Sequence, residues 1–142
     1  MPPSAAVLDA SVLISGFLTE GPPRTILALA EAGRFRMVLS AVILEETRRT
    51  LVKPKLLQAY RHSAEAIGTF CDGMADAALL VEGDPAFVSP CRDPNDHHVV
   101  ATAVAAAAPV IVTGDKDLRD LGQYAGILIV TPRRFLDDLA EV

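Results

Sequence analysis

Residues 93–98 read DPNDHH, two aspartates and two adjacent histidines within six positions. Such a cluster could hold a metal ion, and its chemistry depends on which side chains do so. Neighbouring side chains on a helix point about 100° apart, so His97 and His98 cannot share one ion in the i, i+4 geometry of zinc-binding helices. Only the distant His62 and Cys91 could complete a zinc site, and no zinc-type spacing links them. The two histidines are expected to be solvent-facing or lightly packed, with no chemical role. The acids remain. Asp93 before Pro94 has the form of a helix N-cap followed by proline at the first helical position. Asp96 falls in the first turn, where the helix dipole favours an acid. A first-turn acid can still project toward a site. Asp93 thus reads foremost as the start of the helix, while for Asp96 the capping-turn role and a site role are compatible.

Acids recur at three other places. Asp9 ends the apolar run AAVLD, Asp115 and Asp117 follow PVIVTG, and Glu45 and Glu46 lie within AVILEETRRTL. Each has a structural alternative: Asp9 could cap the next helix, and Asp117 could cap the one after Gly114. At most one of Glu45 and Glu46 can face a shared site. Leu44 and Leu51, seven apart, look like the buried stripe of that helix, yet spacing does not choose between the two glutamates. Three or four carboxylates brought together would repel one another. Hard divalent cations resolve that repulsion, because Mg²⁺ and Mn²⁺ prefer oxygen ligands. An ion so held can activate a water and stabilise the leaving oxygen in phosphodiester hydrolysis.

The elements that must position these acids are legible as strand–helix alternation. Apolar segments at 5–9, 36–40, 109–115 and 126–132, with a weaker one at 77–83, have the length and composition of buried parallel strands. Helical stretches lie between them, such as PPRTILALAEAGR, with prolines at its start and a glycine near its end, and NDHHVVATAVAAAA. The expected fold is one α/β/α domain over residues 1–142, with a mainly parallel sheet of about five strands and helices on both faces. Functional groups in such sheets gather at the carboxyl ends of strands, where strand order reverses. The first strand delivers Asp9 there and the fourth delivers Asp115 and Asp117. The second delivers Ser40 and the helix bearing Glu45 and Glu46.

Composition narrows the function. With 51% hydrophobic residues in 142, the chain is rich enough in apolar side chains to build a core. No apolar run is long enough to span a bilayer as a helix, and MPPSAAVLDAS lacks the form of a signal peptide. Cys71 and Cys91 read as free thiols, which points to the cytoplasm. A net charge of −5 argues against a simple cationic nucleic-acid binder. The charge is uneven, however: Arg48, Arg49, Lys53, Lys55 and Arg61 fall in a stretch from Thr47 to Ala64 that has no acid. A phosphate backbone could lie along Arg48, Arg49, Lys53 and Lys55, although a solvated helix face would have the same composition.

VLDASVLIS, ILEETRRTLVKPKL and DPNDHHVVATAVAAAAPVIVTGDKDL, in this order, resemble a PIN domain, the nuclease fold of VapC-type toxins and related RNA-processing enzymes. The resemblance covers nearly the whole chain and is strongest to bacterial members regarded as toxins of toxin–antitoxin pairs. It implies a metal and catalytic cluster of Asp9, Glu46, Asp96 and Asp115, with Asp93, Asp117 and Ser11 as accessory residues. It selects Glu46 over Glu45 by its place ahead of TRRTL. It further implies Mg²⁺- or Mn²⁺-dependent cleavage of RNA by a metal-activated water, a homodimer and a small antitoxin partner. The family's first motif usually continues from the aspartate to a small hydroxyl residue and then asparagine, whereas this chain has Asp9, Ala10 and Ser11. Ser11 can still hydrogen-bond Asp9 or a phosphate oxygen.

Two other readings compete. A haloacid-dehalogenase-like phosphatase could use Asp9, Ser40, Lys53 or Lys55, and Asp115 with Asp117. Ser11 would then stand where a general acid is needed, and Glu46 and Asp96 would have no role. The non-catalytic reading is a receiver-like or degenerate PIN-like scaffold. A receiver needs paired acids after the first strand, and a degenerate scaffold should have lost acids that this chain retains. Neither GxGxxG nor GxxxxGK[ST] occurs, so dinucleotide binding has no support.

Overall fold

The computed structural model describes residues 3–140. Strands β1 (Ala5–Leu8), β2 (Arg36–Leu39), β3 (Leu79–Leu80), β4 (Val110–Val112), β5 (Gln123–Tyr124) and β6 (Ile127–Val130) form one sheet in the order β3-β2-β1-β4-β6-β5. All pairs are parallel except β5 with β6. Helices α1 (Ala10–Leu18), α2 (Pro22–Glu31), α3 (Ala41–Leu51), α4 (Pro54–Tyr60), α5 (Ala64–Ala77), α6 (His97–Ala106), α7 (Lys116–Leu121) and α8 (Pro132–Ala140) flank it. The expected α/β/α architecture is the observed one. The sixth strand, β5, is a two-residue antiparallel partner of β6 across a turn at Ala125 and Gly126, both with positive φ. It is too short to carry an apolar signature.

Why these segments become these elements is clear at their ends. Ser40 caps α3 by accepting from the Ile43 amide at 3.1 Å, and Ser63 caps α5 through Ala66 at 3.0 Å. Proline opens α2, α4 and α8. Helix α4 has no buried residue, so apolar periodicity does not mark it. The buried stripe of α3 is Ile43, Thr47 and Leu51, not Leu44 with Leu51. Thr47 can lie inside because its hydroxyl donates to the Ile43 carbonyl at 2.8 Å. Among the described residues, no helix is long and apolar enough to cross a membrane.

The core sits on both faces of the four central strands. Val7, Leu8, Leu39, Ile111 and Val112 are fully shielded, each contributing about 1.5–3 kcal/mol by burial. Helix α6 lies across β2, β1 and β4. Five consecutive residues of it, Val99 to Ala103, are buried, because the segment after β3 covers the side away from the sheet. Its alanines are what let both neighbours come so close. At the opposite end of the chain, α8 packs on α2 and sends Phe135 into the core, edge-on to Phe35 with ring centroids 4.9 Å apart. Phe135→Ala should lower the unfolding free energy by about 3–5 kcal/mol, and Phe135→Leu by roughly 1–1.5 kcal/mol. Urea titration of both variants measures the difference, and equal midpoints would show that α8 is not part of the cooperative unit.

Candidate active site

Strand order reverses between β1 and β4, which are neighbours in the sheet while their onward connections run to opposite sides. In open α/β sheets this is where ligands bind, at the strands' carboxyl ends. Asp9 leaves β1 and Asp115 follows β4 at that point. The Asp9 amide still donates to the Val112 carbonyl at 3.3 Å, so the acid is fixed to the sheet itself.

Asp9 is buried, and its two oxygens are held separately. Oδ1 accepts from Ser11 Oγ at 2.6 Å and from the Val12 amide at 3.2 Å; Oδ2 accepts from the Thr113 hydroxyl. The capping role and a site role thus coexist, since the same carboxylate caps α1. Burial pushes its carboxyl above the usual range and the charge of Asp115 adds to this, while the three donors oppose it. Ser11 also accepts from the Gly114 amide at 3.0 Å, tying the end of β1 to the turn after β4. Thr113 likewise accepts from the Asp115 amide at 2.9 Å.

Asp115, rather than Asp117, is the cap of α7: its Oδ1 accepts from the Asp117 and Leu118 amides at 2.8 and 3.2 Å. Asp117 sits in the first turn, paired at 3.7 Å with Arg92, which also reaches Asp120 at 3.7 Å. Asp93 opens a 3-10 turn over Pro94–Asp96 by accepting from the Asn95 amide at 3.0 Å, and α6 begins directly after it. Asp96 makes no capping bond of its own, which leaves its carboxyl free to face the other acids.

Asp96 is the acid common to two groupings. Carboxylate oxygens of Asp93, Asp96 and Asp117 lie within 4.8 Å of one another. Burial pushes the Asp96 carboxyl up to about 7, helped by the charges of Asp115, Asp93 and Asp9 and by a hydrogen bond to Asp115. Five aspartates from three parts of the sequence therefore act on one another at this end of the sheet. The Cys91 thiol approaches Asp96 Oδ2 at 3.9 Å.

Glu46 is half-buried, whereas Glu45 is exposed. Glu46 is not among the leading charges acting on Asp96. Its Oε1 lies 2.7 Å from His98 Nε2. That approach is a close electrostatic contact rather than an aligned hydrogen bond, since both ring nitrogens of His98 are shut off from solvent without a well-directed partner. His97 Nδ1 accepts from the Ser89 amide at 3.2 Å and lies 2.9 Å from Ser89 Oγ. The expectation of solvent-facing or lightly packed histidines is corrected in its packing: α6 uses one to fasten the preceding segment and the other to meet α3. Histidine spacing within one helix carries no sign of this, because both partners come from other elements.

Glu46 and His98 line a cavity of about 730 Å³ between α3, the segment 82–88 and the start of α6. Arg49 lines it too. Arg48 turns toward α5, its guanidinium 3.9 Å from where a side chain at Gly68 would begin. Lys53 precedes α4 and Lys55 lies within it, both exposed. The four cations thus belong to the end of α3 and the start of α4. A smaller hollow of about 310 Å³ is lined by Ser11, Gly114 and Asp115. Thr113 is the residue the sequence signals least: one hydroxyl, buried at the end of an apolar strand, bridges Asp9 to the Asp115 amide. A polar residue closing a run such as VIVT is the available hint.

Comparison with known proteins agrees with this layout. Among solved structures, VapBC2 from Rickettsia felis, bound to a DNA fragment from its promoter, superposes with a TM-score of 0.60 at 12% identity, over 89% of this chain and 98% of that one. At that identity the likeness is one of fold. Among curated proteins no sequence matches. A family model described as PIN domain matches residues 5–117, which spans β1 to the first turn of α7 and includes Asp9, Glu46, Asp93, Asp96, Asp115 and Asp117. The chain belongs to the PIN domain family.

Proposed function

We propose that this protein is a divalent-metal-dependent RNA endonuclease and the toxin of a toxin–antitoxin pair. The observation that carries the reading is the convergence of Asp9, Asp93, Asp96, Asp115 and Asp117 where strand order reverses, with Asp96 driven up to about 7. Crowded negative charge of this kind is what a hard cation relieves. The donors are all carboxylate oxygens with no thiolate or imidazole among them, which suits Mg²⁺ or Mn²⁺ and not zinc.

Asp9, Asp96 and Asp115 would hold the ion, with Glu46 as the fourth acid from the α3 side and Asp93 and Asp117 as assisting charges. When bound, such an ion lowers the pKa of a coordinated water and offsets charge on the phosphate and leaving oxygen. The protein's own part is positional. Ser11, Val12 and Thr113 fix both Asp9 oxygens, and Asp115 is fixed by two α7 amides. The acids therefore need little rearrangement when substrate arrives. Arg49, beside Glu46, with Arg48, Lys53 and Lys55 beyond it, would bind flanking phosphates. The antitoxin, the homodimer and the cytoplasmic location go with this reading through the family resemblance.

Incubation with end-labelled RNA tests the activity. Wild type should cut in Mg²⁺ or Mn²⁺ and stop in chelator. Asp9→Asn and Asp96→Asn should each lose about 10²-fold or more in rate. Cleavage surviving chelation or both substitutions overturns the metal–carboxylate mechanism. Turnover of a phosphate monoester without RNA cleavage would establish the phosphatase instead.

The raised Asp96 carboxyl gives a signed effect on stability. Folded Asp96 keeps its proton up to about 7, against an ordinary value of 3.8. Between these limits the folded chain binds more protons than the unfolded one, so this group's contribution to stability falls as pH rises. Asp96→Asn removes that loss. In metal-free buffer the Tm advantage of Asp96→Asn over wild type should grow between pH 5 and pH 8, by on the order of 3–6 °C. Millimolar Mg²⁺ should narrow the gap at pH 8 by stabilising wild type. A pH-independent gap in differential scanning fluorimetry would contradict the charge crowding.

A further inference from the structure

We propose that the cavity beside the acids receives one nucleobase of the RNA strand, next to the phosphate being cut, and that it prefers bases with an exocyclic amino group over uracil. The proposal rests on the endonuclease reading and adds a substrate subsite to it.

The cavity borders, along the chain, the turn that carries Asp93 and Asp96. Pro94 and Asn95, which line it, are the two residues between Asp93 and Asp96. A strand with a phosphate over the aspartates therefore has its neighbouring nucleoside at the cavity mouth. At about 730 Å³ the space falls within the range of pre-formed small-ligand sites and is ample for a base and its sugar.

Its wall is fixed in place rather than left as a loose loop. Gly83 presses so closely on α6 that a side-chain carbon there would lie 2.7 Å from the Ala101 carbonyl carbon. Within the same segment, Asp84 closes a turn by accepting from the Ala86 amide at 2.9 Å. Phe87 is held edge-on by Tyr124, with centroids 5.8 Å apart, and Ser89 is fastened to His97. These anchors hold an aromatic ring in the cavity wall, near the exposed apolar side chains Val42 and Val88. Protein sites that read single-stranded RNA combine such apolar surface for the face of a base with polar groups for its edge.

Among the charged groups of the lining three are acceptors, against the single cation Arg49, which the nuclease reading already gives to a flanking phosphate. Carboxylates of Glu46, Glu82 and Asp84 share the lining with the Asn95 amide. A carboxylate accepts from an exocyclic amino group, and asparagine can pair with an adenine edge. Uracil offers oxygens at both exocyclic positions and would face those carboxylates with like partial charge. The structure therefore favours adenine, cytosine or guanine at this position.

Two measurements on the full-length chain test the subsite. In chelator, AMP, CMP, GMP and UMP are titrated against isotope-labelled wild type, Phe87→Ala, Phe87→Leu and Asn95→Ala, following the Phe87 ring, Asn95 amide and His98 resonances. In Mg²⁺, products from a randomised RNA are sequenced to read base preference at each position around the cut. We expect UMP to bind wild type about tenfold more weakly than its best competitor. The same preference should appear at one position beside the cut and shrink in Phe87→Ala and Asn95→Ala. Phe87→Leu, which keeps the wall apolar, guards against misfolding: if it too loses the preference while its spectrum stays native, the ring itself is required. RNA cut without positional preference, and no cavity resonance moved by any nucleotide, overturns the subsite and leaves the nuclease reading standing. Nucleotides bound in the cavity by a chain that cuts no RNA uphold the subsite and overturn the nuclease. Resonances that move with a hexa-arginine peptide and with no nucleotide assign the cavity to a protein segment and overturn the proposal.

Discussion

Carboxylates that repel one another are held together here, and much of the surrounding structure serves to hold them. Asp9 is the hardest case, because it is buried in the sheet and burial alone favours its neutral form. Three donors offset that cost, and they come from both strands that flank the point of reversal: Ser11 and Val12 after β1, and Thr113 after β4. Asp115 draws on a different source, the free amides of the first turn of α7. The turn after β4 is thus shaped by the need to support two acids at once. Thr113 and Gly114 are where that support passes between them.

Asp96 receives no such support. It closes a 3-10 turn whose cap belongs to Asp93, and its carboxyl meets Asp115, Asp93 and Asp9 with a weak thiol as its neighbour. Electrostatic strain left by the other acids is consequently concentrated on one residue. A protein selected for stability alone would have neutralised or removed that side chain. Its retention is intelligible if a cation completes the arrangement, and the half-exposed position of Asp96 leaves the approach open.

Much of the fold and of the acidic centre is legible in the sequence. Strand-end acids can be recognised because an apolar run closing on aspartate is conspicuous, and the alternation of elements settles which ends share an edge. Asp96 is legible because DPND writes a helix start in local chemistry. Glu46 is not, since the choice against Glu45 depends on which face of α3 is buried. That face runs through Thr47, a polar residue that hides the stripe unless its bond to the Ile43 carbonyl is known. The roles of the histidines escape the sequence for a related reason. Their partners, Glu46 on α3 and Ser89 before the 3-10 turn, become neighbours only after α6 has packed across the sheet. Local patterns report capping and periodicity; they do not report which side chains distant elements bring face to face.

Ser11 illustrates how a local departure can be absorbed. Where the family resemblance has asparagine, a hydroxyl here donates its single proton to Asp9 and accepts from the Gly114 amide. Both bonds fall on protein, so the bridge across β1 and β4 is complete. An amide at the same place would bring a second N–H, free to meet a phosphate oxygen. The serine keeps the positioning role and, on the proposed reading, would give up a donor toward substrate. On that reading a donor for the phosphate oxygen would come from another element, such as Arg49, which lines the cavity with Glu46. Positioning of the acids and grip on the strand would, on the same proposed reading, be divided between the two sides of the site: hydroxyls at the strand ends for the first, and α3 for the second.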